Sequence, residues 1–107
     1  MNAAQPYNAG DEAAVTKRQK LEREAEVRLA NGLAYILAER PGRDLLWWLL
    51  GEAGVYASSY TGDNRTFFNE GRRDVGLRLL ERLLVTDPEA YLTMIKENRD
   101  ERNTSNQ

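Results

Sequence analysis

Apolar residues recur along the chain at the three- and four-residue spacing of α-helices, and this pattern predicts four helices. The first apolar series is Leu21, Ala25, Leu29, Leu33 and Leu37, with Ile36 beside it. Residues at steps of four share one face of a helix. The series predicts a first helix over residues 12–39. Asn31-Gly32 is its weakest point, because glycine costs about 1 kcal/mol in a helix interior.

A short second helix is predicted from Asp44 to Ala53. Arg40-Pro41-Gly42 should separate it from the first helix, since proline disfavours helical geometry in the residue before it. Gly54 is a suitable C-terminal stop. The centre of this helix reads LLWWLL and is apolar around its whole circumference. Adjacent helical residues point about 100° apart, so we expect one of Trp47 and Trp48 in the core and the other at a rim or an interface. The alternative is that both are buried.

Two further helices complete the predicted fold. The third is predicted over residues 66–85, after the turn Thr61-Gly62-Asp63-Asn64. Its apolar face should consist of Phe68, Val75, Leu79 and Leu83, widened by Leu80 and Leu84. The fourth is predicted over residues 88–98, with Asp87-Pro88-Glu89 as its start and with Tyr91, Met94 and Ile95 facing inward. The fold class is therefore all-α: a small helical bundle of about four helices with an extended charged N-terminal helix.

Two glycines, Gly71 and Gly76, fall inside the predicted third helix. Glycine is unfavourable there unless another chain segment must approach closely. That segment could belong to this chain or to a partner. We favour close packing within the chain for both positions.

The chain divides into one helical domain, over residues 11–98, and two tails. Residues 1–10 are small and polar, and residues 99–107 contain no apolar side chain, so both segments are expected to be flexible. The first half of helix one mixes both signs of charge densely. It is interpreted as a solvated arm with local ion pairs, or alternatively as an arm that lies on a partner chain.

Composition removes most catalytic chemistry. The 107 residues include no cysteine and no histidine, which excludes disulfides, thiolate zinc sites and imidazole bases. We expect no enzymatic activity, no catalytic residue, no cofactor and no metal site. We expect no secretory signal, because the N-terminus lacks a basic start followed by an apolar run, and the longest apolar run, Leu45–Leu50, is far too short to span a membrane. The net charge of −2 gives no basic field for nucleic acid.

Paired carboxylates and hydroxyl groups are the remaining candidates for chemistry. Glu70 and Asp74 lie one helical turn apart, a spacing that could hold a cation. Two ligands do not make a site, so we interpret them as forming surface ion pairs and hydrogen bonds to the preceding loop. Asp63 and Asn64 are explained by the turn. Nucleophilic catalysis by Ser58 and its neighbours lacks a base.

Arginine and aromatic residues concentrate in the middle of the chain. Between Arg40 and Arg82 stand seven arginines and six acids, a balance too close to neutral for a phosphate-binding face, so nucleic-acid binding is the minority interpretation. A protein-contact patch is favoured. Its predicted members are Trp47, Trp48, Tyr56, Tyr60, Arg65, Arg72 and Arg73.

Two segments together carry a family resemblance. They are GVYASSYTG (54–62) and FNEGRRDVGL (68–77), followed by a leucine-rich helix and the Asp87-Pro88-Glu89 start. This arrangement resembles the Bbp-nineteen-like phage domain family of tailed bacteriophages, over residues 43–96. The matching positions are Gly54, Ser58, Tyr60, Gly62, Phe68, Asn69, Glu70, Gly71, Arg72, Arg73, Gly76 and Leu77.

The resemblance implies a place among virion-morphogenesis proteins and supplies no catalytic residue. It favours a phage structural or assembly accessory protein, which binds a larger virion component in the host cytoplasm or within the virion. The alternative is an early phage protein that binds a host enzyme or nucleic acid and modulates it. A homo-oligomer stays open, because an exposed tryptophan favours self-association.

Overall fold

The computed structural model describes residues 9–105, which form four α-helices and, within that range, no strand. The helices are α1 (Ala9–Leu37), α2 (Arg40–Glu52), α3 (Arg65–Thr86) and α4 (Pro88–Ser105). The predicted all-α class and the number of helices are confirmed. Most of the expected N-terminal tail, residues 1–8, and residues 106–107 at the other end lie outside the described range.

The break between α1 and α2 lies earlier than predicted. Glu39 is extended (φ −119°, ψ 151°) and precedes the first residue of α2, and proline occupies the first turn of that helix. Proline is tolerated there because the N–H it lacks would have no partner in the helix. Arg40-Pro41-Gly42 therefore opens α2, where the sequence predicted a separator.

The last helix is longer than predicted. Residues 99–105, expected to be part of a flexible tail, continue α4 to Ser105. The Oε2 atom of Glu101 lies 3.1 Å from Nη2 of Arg40 on α2, and the Thr104 hydroxyl donates to the carbonyl oxygen of Asp100 at 3.0 Å. Contacts of polar side chains thus support turns that carry no apolar residue.

The chain divides into two compact units between Asn31 and Gly32. The arm, defined here as residues 9–31, is helical and exposed at every position. The bundle, defined here as residues 32–105, contains the core. The apolar series of α1 is split accordingly: Leu33 and Leu37 are buried, whereas Leu21, Ala25 and Leu29 are exposed.

The core of the bundle lies between α2, α3 and α4, which pack against one another. Leu50, Leu83 and Met94 are completely enclosed at its centre. Full burial of such a side chain contributes about 1.5–3 kcal/mol. The other buried apolar residues are Leu33, Leu37, Leu46, Ala53, Val55 and Ala90.

The face that α3 turns to the core differs from the prediction. Phe68 and Val75 are exposed, although the sequence pattern placed them on the core face. The reason is Gly76, whose backbone lies so close to α2 and the following loop that an added Cβ would stand 2.5 Å from the Ala53 Cβ and 2.6 Å from Cγ2 of Val55. This close approach fixes the rotation of α3. The enclosed or half-enclosed stripe runs through Asn69, Arg73, Gly76, Leu80 and Leu83.

The two glycines of α3 therefore differ. Close packing is confirmed at Gly76. It is wrong for Gly71, where an added Cβ would meet no atom within 4 Å. Gly71 is exposed, since α3 faces the core through Gly76 and that rotation leaves position 71 at the surface.

Candidate contact face

A left-handed glycine turns the chain from α2 into the loop that carries Tyr56 and Tyr60, two of the predicted contact residues. Gly54 has φ +76°. The Val55 N–H donates to the Leu50 carbonyl at 3.2 Å, and the Gly54 N–H donates to the Gly51 carbonyl at 3.0 Å. This pair of hydrogen bonds satisfies the terminal carbonyls of α2 in the manner of a Schellman cap. The predicted role of Gly54 as a helix stop is confirmed.

The loop ends in a hydrogen-bonded turn that caps α3. Oδ1 of Asp63 accepts the Thr61 hydroxyl at 2.7 Å and the Arg65 backbone N–H at 2.9 Å. The Arg65 guanidinium also binds this carboxylate, with Nη2 3.1 Å from Oδ2. The side-chain hydrogen bond from Arg65, followed by that from Thr61, lowers the pKa of Asp63. Gly62, at φ +81°, supplies the backbone conformation that the turn needs.

Two residues of the FNEGRR segment fasten the loop to α3. Asn69 donates from Nδ2 to the Ser59 carbonyl at 3.2 Å, and the Ser59 hydroxyl donates to Oε1 of Glu70. Hydrogen bonding of Glu70 to the preceding loop is as predicted. Asp74 instead pairs with Arg78, at 3.2 Å. Within residues 9–105 no three acidic, histidine or cysteine side chains cluster as a metal site would require.

The two tryptophans separate as predicted. Trp47 is half-buried and packs against the core, whereas Trp48 is 58% exposed. The Trp47 ring lies 5.7 Å from the Tyr56 ring, centroid to centroid, and the Tyr56 hydroxyl is 2.8 Å from that of Tyr91. Burial, and secondarily the hydrogen bond to Tyr91, raises the pKa of Tyr56.

Arg72 lies between the loop and an exposed aromatic ring. Its guanidinium carbon is 5.9 Å from the centroid of Phe68, which is 70% exposed. Its Nη2 is 3.4 Å from Oδ1 of Asn69, and a Cβ added to Gly54 would stand 3.6 Å from the same nitrogen. A cation–π contact at an exposed site contributes about 0.5–1 kcal/mol.

Arg73, the neighbour of Arg72 on α3, is half-buried, and its Nε–H donor has no hydrogen-bond acceptor within the described part of the chain. That nitrogen is enclosed. A buried donor without a partner costs about 1–3 kcal/mol.

The structure thus brings together only part of the predicted patch. Around the loop that begins at Gly54, Trp47 lies against Tyr56, and Arg72, which approaches Gly54, lies over Phe68. We call these four residues the arginine–aromatic face. Trp48 points away from Trp47 on α2. Tyr60 is exposed within the loop, and Arg65 is occupied by Asp63 in the capping turn.

Sequence reasoning missed Phe68 as a surface residue. Its spacing to Val75 and Leu79 fits a helical apolar stripe, so it was placed in the core. The adjacent Phe67 is exposed as well. The signal that could have identified the true orientation is Gly76, because a close-packing glycine marks the side of a helix that faces its neighbour.

No helix within residues 9–105 is long and apolar enough to cross a membrane. Neither the curated proteins nor the solved structures contain a match to the chain. The family model described as Bbp19-like phage protein matches residues 33–96.

The matched range begins one residue after the boundary between the arm and the bundle. It extends ten residues further toward the N-terminus than the expected 43–96, and so includes the buried Leu33 and Leu37 of the core. The arm lies outside it. Since the match covers more than half of the sequence, the chain belongs to the Bbp19-like phage protein family.

Proposed function

We propose that this phage protein is a non-enzymatic structural or assembly accessory protein, and that it binds a larger virion component through the arginine–aromatic face. The observation that carries the proposal is the placement of Arg72 over Phe68, with that ring 70% exposed. Arginine and aromatic residues are the types enriched where proteins meet. Family membership supports a phage role.

The face is supported by a framework that holds it in place. Asn69 and Glu70 bind Ser59, and the cap at Gly54 fixes the start of the loop. Contact residues held in place before binding lose less conformational entropy when a partner arrives. The conformation of the loop therefore favours a binding role.

Arg72 adds a polar requirement to the partner. This arginine is exposed, so a carbonyl or carboxylate of a bound protein can accept hydrogen bonds from its guanidinium. Hydrogen bonds of charged groups are about twice as strong as neutral ones. This chemistry suits a protein partner, and the net charge of −2 weighs against a nucleic-acid backbone.

Mass spectrometry of purified phage particles tests the proposal. The protein should be present in a fixed ratio to the portal protein in particles of its own phage. Treatment of the particles with high salt separates a bound component from an adsorbed contaminant. Absence of the protein from both mature particles and assembly intermediates would refute the proposal.

A further inference from the structure

A gap interrupts the exposed apolar ridge of α3. Phe67, Gly71 and Val75 follow one another at steps of four and therefore form one ridge on the surface of that helix. The Phe67 side chain is 79% exposed and the Val75 side chain is 67% exposed. An added Cβ at Gly71 would meet no atom within 4 Å. The two apolar side chains thus border an open space above Gly71, which we call the Gly71 notch.

The contacts within the bundle do not explain a glycine at this position. Glycine is less favourable than every residue but proline in the interior of a helix, and it is useful there when another chain segment approaches the backbone closely. At Gly76 that segment includes Ala53 and Val55. No segment of residues 9–105 approaches Gly71 in this way. A close approach at Gly71 is therefore left to a partner.

The width of the notch fits one α-helix. Phe67 and Val75 are eight residues apart, which places them about 12 Å apart along the axis of α3 at 1.5 Å per residue. An α-helix with its side chains is about 10–12 Å across. Neighbouring β-strands lie only about 4.8 Å apart, so a single strand would leave most of the notch open.

The charge beside the notch indicates which side chain the partner presents. Arg72 follows Gly71 and makes its polar contact with the neutral amide of Asn69, at 3.4 Å. Arg65 and Arg78 of the same helix each pair with a carboxylate of the chain, whereas Arg72 has no such pair within residues 9–105. A guanidinium without an ion pair favours a carboxylate, which it can bind with two parallel hydrogen bonds.

We propose that one helix of the virion component crosses α3 at Gly71, with a small residue in the Gly71 notch and a carboxylate beside Arg72. Phe67 and Val75 pack on either side of that helix, and Phe68 continues the contact into the arginine–aromatic face. Two helices approach each other more closely when the side chains at their crossing are small. This mode of docking rests on the proposed function and specifies the element of the partner.

Filling the notch tests the proposal, because it should affect stability and binding in opposite directions. Gly71→Ala and Gly71→Leu both introduce better helix formers, so both variants should melt at or above the parental temperature. In particles, Gly71→Leu should lower the ratio of this protein to the portal protein at least tenfold, and Gly71→Ala at least twofold. Circular dichroism measures melting, and mass spectrometry of purified particles measures the ratio.

Gly51 provides the matched control. It is an exposed glycine of α2, and an added Cβ there would also meet no atom within 4 Å. The residues four positions before and after it, Trp47 and Val55, belong to the core or pack against it and do not border a gap. Gly51→Leu should therefore leave the ratio in particles at the parental value.

Two changes at Arg72 test the carboxylate of the partner. Arg72→Gln removes the positive charge, whereas Arg72→Glu reverses it and repels an acidic residue. The ratio in particles should be at least threefold lower for Arg72→Glu than for Arg72→Gln. Equal ratios for the two variants would show that no carboxylate of the partner lies beside Arg72.

The helix at Gly71 would be refuted by a Gly71→Leu variant that folds and enters particles at the parental ratio, or by equal losses in Gly71→Leu and Gly51→Leu. If Gly71→Leu does not fold, a parental ratio for Gly71→Ala refutes it. Self-association of the purified parent that Gly71→Leu abolishes would assign the notch to a second copy and overturn the proposal. Absence of the parent protein from particles is a distinct outcome, because it refutes the proposed function itself.

Discussion

Arg43 of α2 and Glu97 of α4 form a bidentate ion pair. Nε of Arg43 lies 3.0 Å from Oε1 of Glu97, and Nη2 lies 2.9 Å from Oε2. Nη1 of the same guanidinium donates to the Leu37 carbonyl at the end of α1, at 3.0 Å. The side chains are only 16% and 15% exposed. One arginine therefore joins the last residue of α1 to α2 and α4 within the bundle.

Loss of this arginine should destabilise the bundle. Arg43→Ala removes three charge-assisted hydrogen bonds and leaves the partly enclosed Glu97 with only its longer, 3.8 Å contact to Arg40, so we expect a loss of about 2–3 kcal/mol in the free energy of unfolding. The control is Arg78→Ala, which breaks the exposed pair of Arg78 and Asp74 and should cost less than about 0.5 kcal/mol. Urea denaturation measures both. Equal losses in the free energy of unfolding would show that the partly enclosed ion pair stabilises the protein no more than the exposed one does.

Acid should destabilise the protein through the same pair. The hydrogen bond from Arg43 holds the pKa of Glu97 below its ordinary value of 4.5. The folded state therefore favours the charged carboxylate. The ionised Glu97 therefore contributes its full stabilisation when the pH is above its pKa in the unfolded state. That stabilisation is lost as the pH falls through its pKa in the folded state. When the urea midpoint is measured at successively lower pH from pH 7, it should decrease once the pH is below about 4.5, the pKa of this carboxyl in the unfolded chain.

The variant Glu97→Gln isolates that contribution. Its amide does not titrate, so its urea midpoint should vary less with pH in the acid range, although the variant is less stable than the parent at neutral pH. If parent and variant show parallel curves below pH 4.5, other carboxyl groups are responsible for the acid sensitivity.

Alanine at the two glycines of α3 should have opposite effects. Gly76→Ala places a methyl group 2.5 Å from the Ala53 Cβ. Overpacking of this kind costs about 1–3 kcal/mol, which exceeds the gain of about 1 kcal/mol from helix propensity. Gly71→Ala meets no atom within 4 Å and should be neutral or stabilising. The melting temperatures of the two variants provide the comparison. A Gly76→Ala variant that melts at the parental temperature would show that α3 can shift away from Ala53 without a loss of stability.

These two glycines also show how far the sequence predicted the fold. Local signals were sufficient where the deciding contacts are local: Asp87 accepts the Ala90 N–H at 3.1 Å as the predicted cap of α4, and Gly54 ends α2. The rotation of α3 was not predictable from periodicity, because it depends on the contact of Gly76 with Ala53 in another helix. Phe68 was consequently assigned to the core.

The same limit applies to the end of α4 and to the candidate site. Residues 99–105 lack an apolar pattern, and Arg40 on α2 reaches Glu101 from a position 61 residues earlier. For the predicted contact patch, the residue types were enough to indicate a contact surface. Which of its members lie together depends on the directions of their side chains, which the sequence does not give. Trp48 and Arg65 could be separated from Trp47 only once α2 and the capping turn were located.

The arginines of the FNEGRR segment provide the sharpest test of the proposed contact. Arg72→Ala combined with Arg73→Ala should reduce the amount of this protein in particles relative to portal by at least tenfold, while the chain stays folded and helical. Because Arg73 lies on the half-enclosed stripe of α3, loss of its packing should lower the melting temperature modestly. Arg72 is exposed, and the enclosed Nε of Arg73 has no partner to lose within residues 9–105. A tenfold loss corresponds to about 1.4 kcal/mol of binding free energy.

Arg78→Ala is the matched control for that double variant. It removes an exposed arginine from the same helix, outside the arginine–aromatic face, and should leave incorporation unchanged. If the double variant unfolds, the two arginines are structural and the contact must lie elsewhere. If it folds and enters particles at the parental ratio, the arginine–aromatic face is not what the virion component binds. Phe68→Ala, which removes the exposed ring beneath Arg72, separates the aromatic contribution from the charged one.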